Sequence, residues 1–122
     1  LKEFIKKRHD LSINYIEAMK DLPMKFQAKS DNIISSHHLF IIRVNGSVHE
    51  DLFRFLTSQG IQVNLHYFPV HLQPYYQNLG FKEGDFIESE LYANQAISLP
   101  MYPDLTRENQ DYVIEKIREF YK

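Results

Sequence analysis

The sequence predicts an α+β domain in which a small sheet of two to four strands is covered by helices. Three observations favour this class. Both ends of the chain carry apolar residues at helical spacing. Between them, "HHLFIIRV" and "IQVNLHY" are rich in β-branched and aromatic residues and indicate strands. The 122 residues, 43% hydrophobic and 25% charged, are enough for one ordinary domain with a modest core.

The first helix and strand follow directly from the spacing of apolar residues. Leu11 and Tyr15 lie on one face of an amphipathic helix that we expect over about residues 2–20, ending before Pro23. After a polar loop, the run His37–Val44 has strand composition and is bounded by "SDN" and "NGS". Helix and strand therefore occupy the first third of the chain.

A second helix and a second strand follow with tight connections. Ser47 and Glu50 have capping-box spacing, which predicts a helix beginning at "SVHE". Gly60 is the expected left-handed stop of that helix. Ile61 and Val63 then share one face of the next strand. Strand, helix and strand together predict a β-α-β core.

The second half of the chain is predicted to be mostly helical. Short helices are expected over about residues 71–79, where Gly80 ends the helix, and about 86–97. "ISLP" is a brief extended strand, and Thr106 opens the last helix. The buried line of that helix is expected to consist of Val113, Ile117 and Phe120. With amphipathic helices at both ends, the sheet has the cover that it needs.

Charge and cysteine usage limit the classes of function. Lys and Arg number 14 and Asp and Glu 16, so a formal charge of -2 gives no electrostatic basis for binding nucleic acid or an anionic membrane. Cysteine is absent, which removes disulfides and thiolate chemistry and fits a reducing compartment. The sequence shows neither a bilayer-spanning apolar run nor signal-peptide zones. We therefore expect a cytoplasmic location, with no nucleic-acid or membrane partner.

The stretch "VNLHYFPVHLQPYY" carries the densest set of functional side chains. His66 and His71 invite a metal interpretation, but Pro69 excludes a helix that would align both rings, and no carboxylate lies close in sequence. No metal ligand and no catalytic residue is therefore assigned. Taken alone, the stretch predicts a strand that runs into a proline-ordered loop exposing aromatic and imidazole groups, which favours contact with a ligand or partner over pure packing.

Three motifs in order carry a family resemblance that extends over the whole chain. "HHLFIIRV", "HYFPVHLQPYY" and "SLPMYP" resemble the C-terminal domain of the DegT/DnrJ/EryC1/StrS nucleotide-sugar aminotransferases, which are pyridoxal-phosphate enzymes of fold type I. The resemblance implies that residues 1–122 form the small C-terminal domain. It also implies that the large domain, with the lysine that binds the cofactor, is absent from this chain.

The resemblance further implies a substrate class. Members aminate a nucleotide-linked keto sugar, and "HLQPYY" and "GDF" are most similar to the transaminases of pseudaminic acid biosynthesis, which use a UDP-linked 4-keto-6-deoxy sugar with glutamate as donor. The expected role is sugar supply for surface polysaccharide or flagellin glycan. Pyridoxal phosphate and a homodimer are expected of the full-length enzyme. The isolated chain is expected to bind no cofactor and to be inactive.

The same resemblance assigns a binding loop. By similarity to the family's "HY" element, His66 and Tyr67 would contact the nucleotide-sugar, and Phe68, Pro69 and His71 would shape the loop. Phenol and imidazole groups offer hydrogen bonds to sugar hydroxyls, and flat rings stack on sugar or uracil faces. Two alternatives stay open: these side chains belong to a core or dimer interface, or the chain is a stand-alone, non-catalytic domain that binds a nucleotide-sugar, a partner or no ligand.

Overall fold

Two long helices at the ends of the chain lie against each other. The structure is a computed structural model that describes residues 1–28 and 32–122. Helix α1 spans Lys2–Met19 and α5 spans Arg107–Phe120, and the two are in contact. Both were predicted from apolar spacing. Between them lie β1 Lys25–Phe26, β2 Phe40–Arg43, α2 Gly46–Ser58, a 3₁₀ turn Val70–Leu72, α3 Pro74–Asn78, α4 Ile87–Ala93 and β3 Ala96–Leu99.

The sheet is antiparallel, with strand order β1-β2-β3. Ile42 pairs with Ile97 in adjacent strands, and both side chains belong to the main hydrophobic cluster. Side chains alternate between the faces of a sheet, so Ile41 and its partner Ser98 lie on the opposite face. The sheet therefore has one face towards the helices and one towards the loops that carry the candidate site. The predicted α+β class, with a small sheet and covering helices, is confirmed.

The core joins the three long helices to one face of the sheet. Tyr15 of α1 is fully buried, and its ring stacks on Phe40 of β2 at 4.8 Å between centroids. Leu52 and Leu56 of α2 are also fully buried, as is Ile117 of α5. Phe120, which we expected in the buried line of α5, is only partly buried and packs at the edge of the cluster. The spacing thus identified the buried faces but not how far each extends.

The second predicted strand differs from the expected β-α-β arrangement. Within residues 61–67, which we expected to form that strand, only Asn64 pairs in the sheet, through an isolated antiparallel bridge to Ser98. Asn64 and Ser98 exchange both backbone hydrogen bonds, 3.2 and 2.8 Å long, before the chain leaves the sheet towards Pro69. Because Asn64 pairs antiparallel with β3, and β3 pairs antiparallel with β2, no two hydrogen-bonded strands in the described part of the sheet run parallel, as those of a simple β-α-β unit would. The two-residue strand β1 was not predicted, because it is too short to show a pattern.

Helix boundaries in the middle of the chain also needed correction. Asn45, not Ser47, caps α2: the Asn45 side chain accepts the Ser47 N–H at 3.0 Å. Gly60 does end this region with a φ of +74°, as predicted. The expected helix over 71–79 is broken, because Pro74 forces extended backbone on the residue before it and begins α3 instead. The expected helix over 86–97 ends at Ala93, where the chain turns into β3.

Residues 65–95, here called the excursion, leave and rejoin the sheet at neighbouring points. The Asn64 and Ser98 bridge closes one side of its base, and the Val44 N–H donates to the Gln95 carbonyl at 2.9 Å on the other. The excursion carries α3 and α4 and includes the predicted binding loop. In the described part of the chain, no helix is long and apolar enough to cross a bilayer.

Candidate functional site

A groove of about 710 Å³ lies where the end of β3, the chain after Gly60 and the first turns of α5 meet. Among the described residues that line it, none is Lys, Arg, Asp or Glu. Its hydrogen-bonding side chains are those of His38, Gln62, Asn64, His66, Ser98, Tyr102, Asn109 and Tyr112. The floor is apolar and includes Leu99 and Met101. A neutral concave surface with several convergent polar groups is typical of a site for an uncharged, hydroxyl-rich or heteroaromatic group.

His66 is the predicted site residue that lines this groove. Its Nδ1 shares a hydrogen bond of 2.8 Å with the Ser98 hydroxyl, and the direction of that bond depends on the imidazole tautomer. Ser98 is buried in β3, so the sheet fixes the position of the ring. The Nε2 atom has no such partner within the described residues. His66 therefore offers one held nitrogen and one available nitrogen to a molecule in the groove.

Tyr67 and Phe68 follow His66 directly, and their side chains are exposed to solvent. Tyr67 is 68% exposed and Phe68 is 58% exposed, whereas Pro69 is buried. The rings of His66 and Tyr67 meet edge to face at 4.6 Å, and the peptide bond between these residues is cis. Two aromatic side chains are thus presented to solvent next to a fixed imidazole. Neither ring forms part of the groove lining in the described structure.

His71 has a different environment from the rest of the predicted loop. Its side chain is buried, and Nε2 lies 2.8 Å from Glu90 Oε1. The Gly84 N–H also donates to Glu90 Oε1, at 2.9 Å. The His71 hydrogen bond is the largest cause that holds the pKa of the Glu90 carboxyl below its usual range. No carboxylate was expected close in sequence to these histidines, and the partner of His71, Glu90, lies 19 positions further along the chain.

A metal centre finds no support in the described part of the chain. No three His, Cys, Asp or Glu side chains converge there. The His71 and Glu90 pair supplies one nitrogen and one oxygen ligand at most, which is fewer than a structural or catalytic zinc site uses. His37, of the other histidine pair, is near His9, with 3.4 Å between ring nitrogens, and His38 is exposed in the groove.

Several groove residues were not identified from the sequence. The sequence analysis gave no site role to Asn64, Ser98 or Tyr102, although Asn64 lies in "VNLHYFPVHLQPYY" and the other two lie in "SLPMYP". The fold brings these two segments together, with Asn64 bridged to Ser98. Alternation along "ISLP" could have placed Ser98 opposite the core. Nothing in the sequence indicates which segment would lie against that face.

The groove does not have the side chains that pyridoxal phosphate needs. A lysine amine forms the Schiff base in such enzymes, and an acidic or basic side chain contacts the pyridinium nitrogen. No lysine is among the described lining residues, and Lys116 and Lys20 pair with Glu119 and Glu17 on their own helices. This surface can bind and orient a neutral ligand, but it holds no group for amino transfer.

Two curated relatives are similar to most or all of the chain. The erythromycin biosynthesis sensory transduction protein EryC1 of Saccharopolyspora erythraea is 37% identical over 92% of this chain and 31% of its own length. The spore coat polysaccharide biosynthesis protein SpsC of Bacillus subtilis is 30% identical over 100% of this chain and 33% of its own. The chain thus spans about a third of the length of these relatives.

Solved structures show the same fold. DesV of S. venezuelae, solved with a ketimine intermediate, has a TM-score of 0.92 and 29% identity over 99% of this chain and 33% of its own. The PLP form of the putative sugar aminotransferase Spr1654 of Streptococcus pneumoniae has a TM-score of 0.88 and 29% identity. That match covers 95% of this chain and 31% of the Spr1654 chain. Helicobacter pylori PseC, an aminotransferase of pseudaminic acid biosynthesis, has a TM-score of 0.85 over 95% of this chain and 32% of its own. Its sequence identity is only 23%, so this likeness shows the fold alone.

The family profile of the DegT/DnrJ/EryC1/StrS aminotransferases matches residues 1–118, which is almost the whole chain. That match agrees with the helix-covered antiparallel sheet shared with DesV. The chain belongs to the DegT/DnrJ/EryC1/StrS aminotransferase family.

Proposed function

We propose that this chain is the C-terminal domain of a pyridoxal-phosphate-dependent aminotransferase and forms one wall of its cleft for a nucleotide-linked keto sugar. Family membership over residues 1–118 supports the reaction class. The PLP form of the similar Spr1654 structure supports the cofactor. When bound by the rest of the enzyme, pyridoxal phosphate supplies the electron sink for amino transfer. We expect the isolated chain not to transaminate, since no lysine is among the described residues that line its groove.

The observation that carries the proposal is the neutral groove beside His66. Amide, imidazole and phenol groups can each hydrogen-bond to sugar hydroxyls, and the apolar floor can accept the face of a sugar or uracil ring. The described lining holds no cation, so the groove suits the sugar or the base rather than the diphosphate. The exposed rings of Tyr67 and Phe68 extend the same wall.

A narrower substrate assignment belongs to the same proposal. We infer a UDP-linked 4-keto-6-deoxy sugar as acceptor, glutamate as donor, and a homodimeric cytoplasmic enzyme of surface-polysaccharide or flagellin-glycan biosynthesis. The "HLQPYY" and "GDF" motifs support the pseudaminic-type substrate. The similarity to SpsC, a spore coat polysaccharide biosynthesis protein, supports the general pathway class.

Titration of the chain with UDP-N-acetylglucosamine tests the binding wall. We expect saturable heat of binding for the wild type and about tenfold weaker affinity for His66→Ala, because one hydrogen-bonding group in the groove is lost. Tyr75→Phe is the control: this residue is 69% exposed on α3 and does not line the groove. Equal affinities for His66→Ala and the wild type would contradict the proposal.

The alternative is a non-catalytic domain that binds a nucleotide-sugar or a partner chain by itself. The absence of a lysine from the described groove lining is compatible with it. The coding sequence upstream of Leu1 separates the two. A continuous frame that encodes a large domain with a cofactor-binding lysine favours the aminotransferase, and an unrelated sequence favours the alternative.

A further inference from the structure

The loop that carries Tyr67 and Phe68 is fixed at both ends by imidazole contacts. At its start, His66 Nδ1 binds the Ser98 hydroxyl of β3 at 2.8 Å. At its end, His71 Nε2 binds Glu90 Oε1 of α4, also at 2.8 Å. The two exposed rings lie between these contacts. The four residues 67–70 therefore connect two histidines whose side chains are each held by a hydrogen bond.

Glu90 is the centre of the second contact. The same Oε1 atom accepts the Gly84 N–H at 2.9 Å, so one carboxylate ties α4 both to the binding loop and to the turn that precedes α4. The Phe86 ring lies against His71 with 4.9 Å between centroids and covers the pair. Hydrogen bonds to an ionised group are among the strongest that side chains make, and removing one partner of a buried pair leaves the other uncompensated.

Apolar burial does little to hold this part of the chain. Within the excursion, which the structure describes throughout, only Pro69 and His71 are buried. Large side chains such as Leu79 and Ile87 are more than half exposed. The contact of His71 with Glu90 thus involves one of the two buried side chains of the excursion. Ring contacts of Phe86 with His71 and Phe81 lie beside it.

We infer that His71 and Glu90 are positioning residues, which hold Tyr67 and Phe68 in place for the ligand without touching it. His71 is only 6% exposed, so its ring is not available to a ligand. His71 was expected to shape the loop, and its contact with Glu90 supplies the means by which it would fix the end of that loop. The inference rests on the proposed function only for the identity of the ligand, a nucleotide-sugar.

The first test is binding of UDP-N-acetylglucosamine by calorimetry. His71→Ala and Glu90→Ala are each expected to weaken binding about tenfold, since the loop loses its second fixed point. Glu90→Gln is expected to restore affinity to within about twofold of the wild type, because its amide oxygen can still accept both hydrogen bonds. Arg118→Ala is the matched control, since it removes an ion pair between α5 and Asp21, just after α1, that is remote in sequence from the loop.

The second test needs no ligand. Backbone ¹⁵N relaxation should show lower order parameters at Tyr67, Phe68 and Gly84 in His71→Ala and Glu90→Ala than in the wild type, with β2 and α5 unchanged. Arg118→Ala should leave the three sites unchanged. If His71→Ala does not fold, His71→Leu fills the buried space without a donor and gives the same measurement.

The two tests separate the failure of each proposal. A wild type that binds no UDP-N-acetylglucosamine overturns the proposed function, and the relaxation data still decide the positioning role. Unchanged order at Tyr67 and Phe68 in the alanine variants overturns the positioning inference, whatever the affinity. Lower order parameters with unchanged affinity for UDP-N-acetylglucosamine also overturn it, because holding the two rings in place would then make no difference to ligand binding.

Discussion

At the scale of single residues, Tyr15 shows how one side chain combines apolar and polar contacts. Its ring is fully buried against Phe40, and its hydroxyl donates to the Pro100 carbonyl at 3.0 Å. Burial raises the pKa of the Tyr15 phenol well above its usual range, so the group stays neutral at all ordinary pH values. The hydrogen bond joins α1 to the chain that leaves β3, 85 positions away.

Tyr15→Phe is expected to lower the free energy of unfolding by about 1–2 kcal/mol, because the Pro100 carbonyl loses its donor in a largely dry environment. Urea titration followed by circular dichroism measures the change. Tyr112→Phe is the control: its hydroxyl donates to the Gln59 carbonyl at 3.1 Å, but the residue is 42% exposed, so water replaces the donor at little cost. If both variants lost the same free energy of unfolding, burial of the hydroxyl would not determine the cost of removing it, which would contradict the prediction.

At the scale of secondary-structure elements, α5 is the one that the sequence predicted best. The Thr106 side chain accepts the Asn109 N–H at 3.2 Å, and Val113 and Ile117 are buried as their spacing required. A local cap and a local repeat suffice for such a prediction. The segment after Gly60 was mispredicted, since its apolar alternation fits any extended chain, and whether it pairs depends on Ser98 far along the sequence.

Thr106→Ala should lower the free energy of unfolding by about 1 kcal/mol, because the first turn of α5 loses its cap. Thr57→Ala gives a matched threonine control in α2. The Thr57 hydroxyl donates to the Phe53 carbonyl, which is already satisfied within the helix, so its loss should change stability by less than about 0.5 kcal/mol. Chemical denaturation of both variants decides whether the cap, rather than the residue type, carries the effect.

At the scale of the whole molecule, Arg118 joins the two ends of the fold. Its guanidinium donates to both carboxylate oxygens of Asp21, at 2.8 and 2.7 Å, and to the Ala18 carbonyl at 2.8 Å. The end of α1 is thereby tied to the end of α5. The hydrogen bond from Arg118 is the largest cause that lowers the pKa of Asp21, from 3.8 to about 2.

A lowered pKa in the folded state fixes the sign of the pH dependence. The Asp21 contribution is fully present above pH 3.8, the ordinary value, and is lost as the pH falls through about 2. Asp21→Asn should therefore have a lower Tm than the wild type at pH 7, and the difference should shrink below pH 4 and vanish only below pH 2. Added salt should also reduce it, since both side chains are partly exposed.

Asp111→Asn is the control for this measurement. Asp111 pairs with Arg107 one turn away, so the pair lies within α5 and joins no separate elements. We expect a smaller Tm change at pH 7 than for Asp21→Asn. A Tm difference for Asp21→Asn that stays constant from pH 7 to pH 2 would contradict the assigned role of the carboxylate.

The candidate site was predictable in location but not in detail. The residue types of "HYFPVH" indicated a ligand loop, and His66 does line a groove. The sequence did not identify the partners of His66 and His71, because Ser98 and Glu90 lie 32 and 19 positions away. Contacts of that range depend on how the elements fold together, and no local pattern carries that information.

The closed base of the excursion has an evolutionary consequence. Residues 65–95 begin beside the backbone bridge between Asn64 and Ser98 and end where the Gln95 carbonyl accepts the Val44 N–H, and they contribute almost nothing to the hydrophobic cluster. Lengthening a loop with fixed ends costs little conformational entropy. Insertions, deletions or exchange of this segment can thus alter what the surface recognises while the sheet and its helices keep their packing. The fold separates the part that must be conserved for folding from the part that is free to diversify.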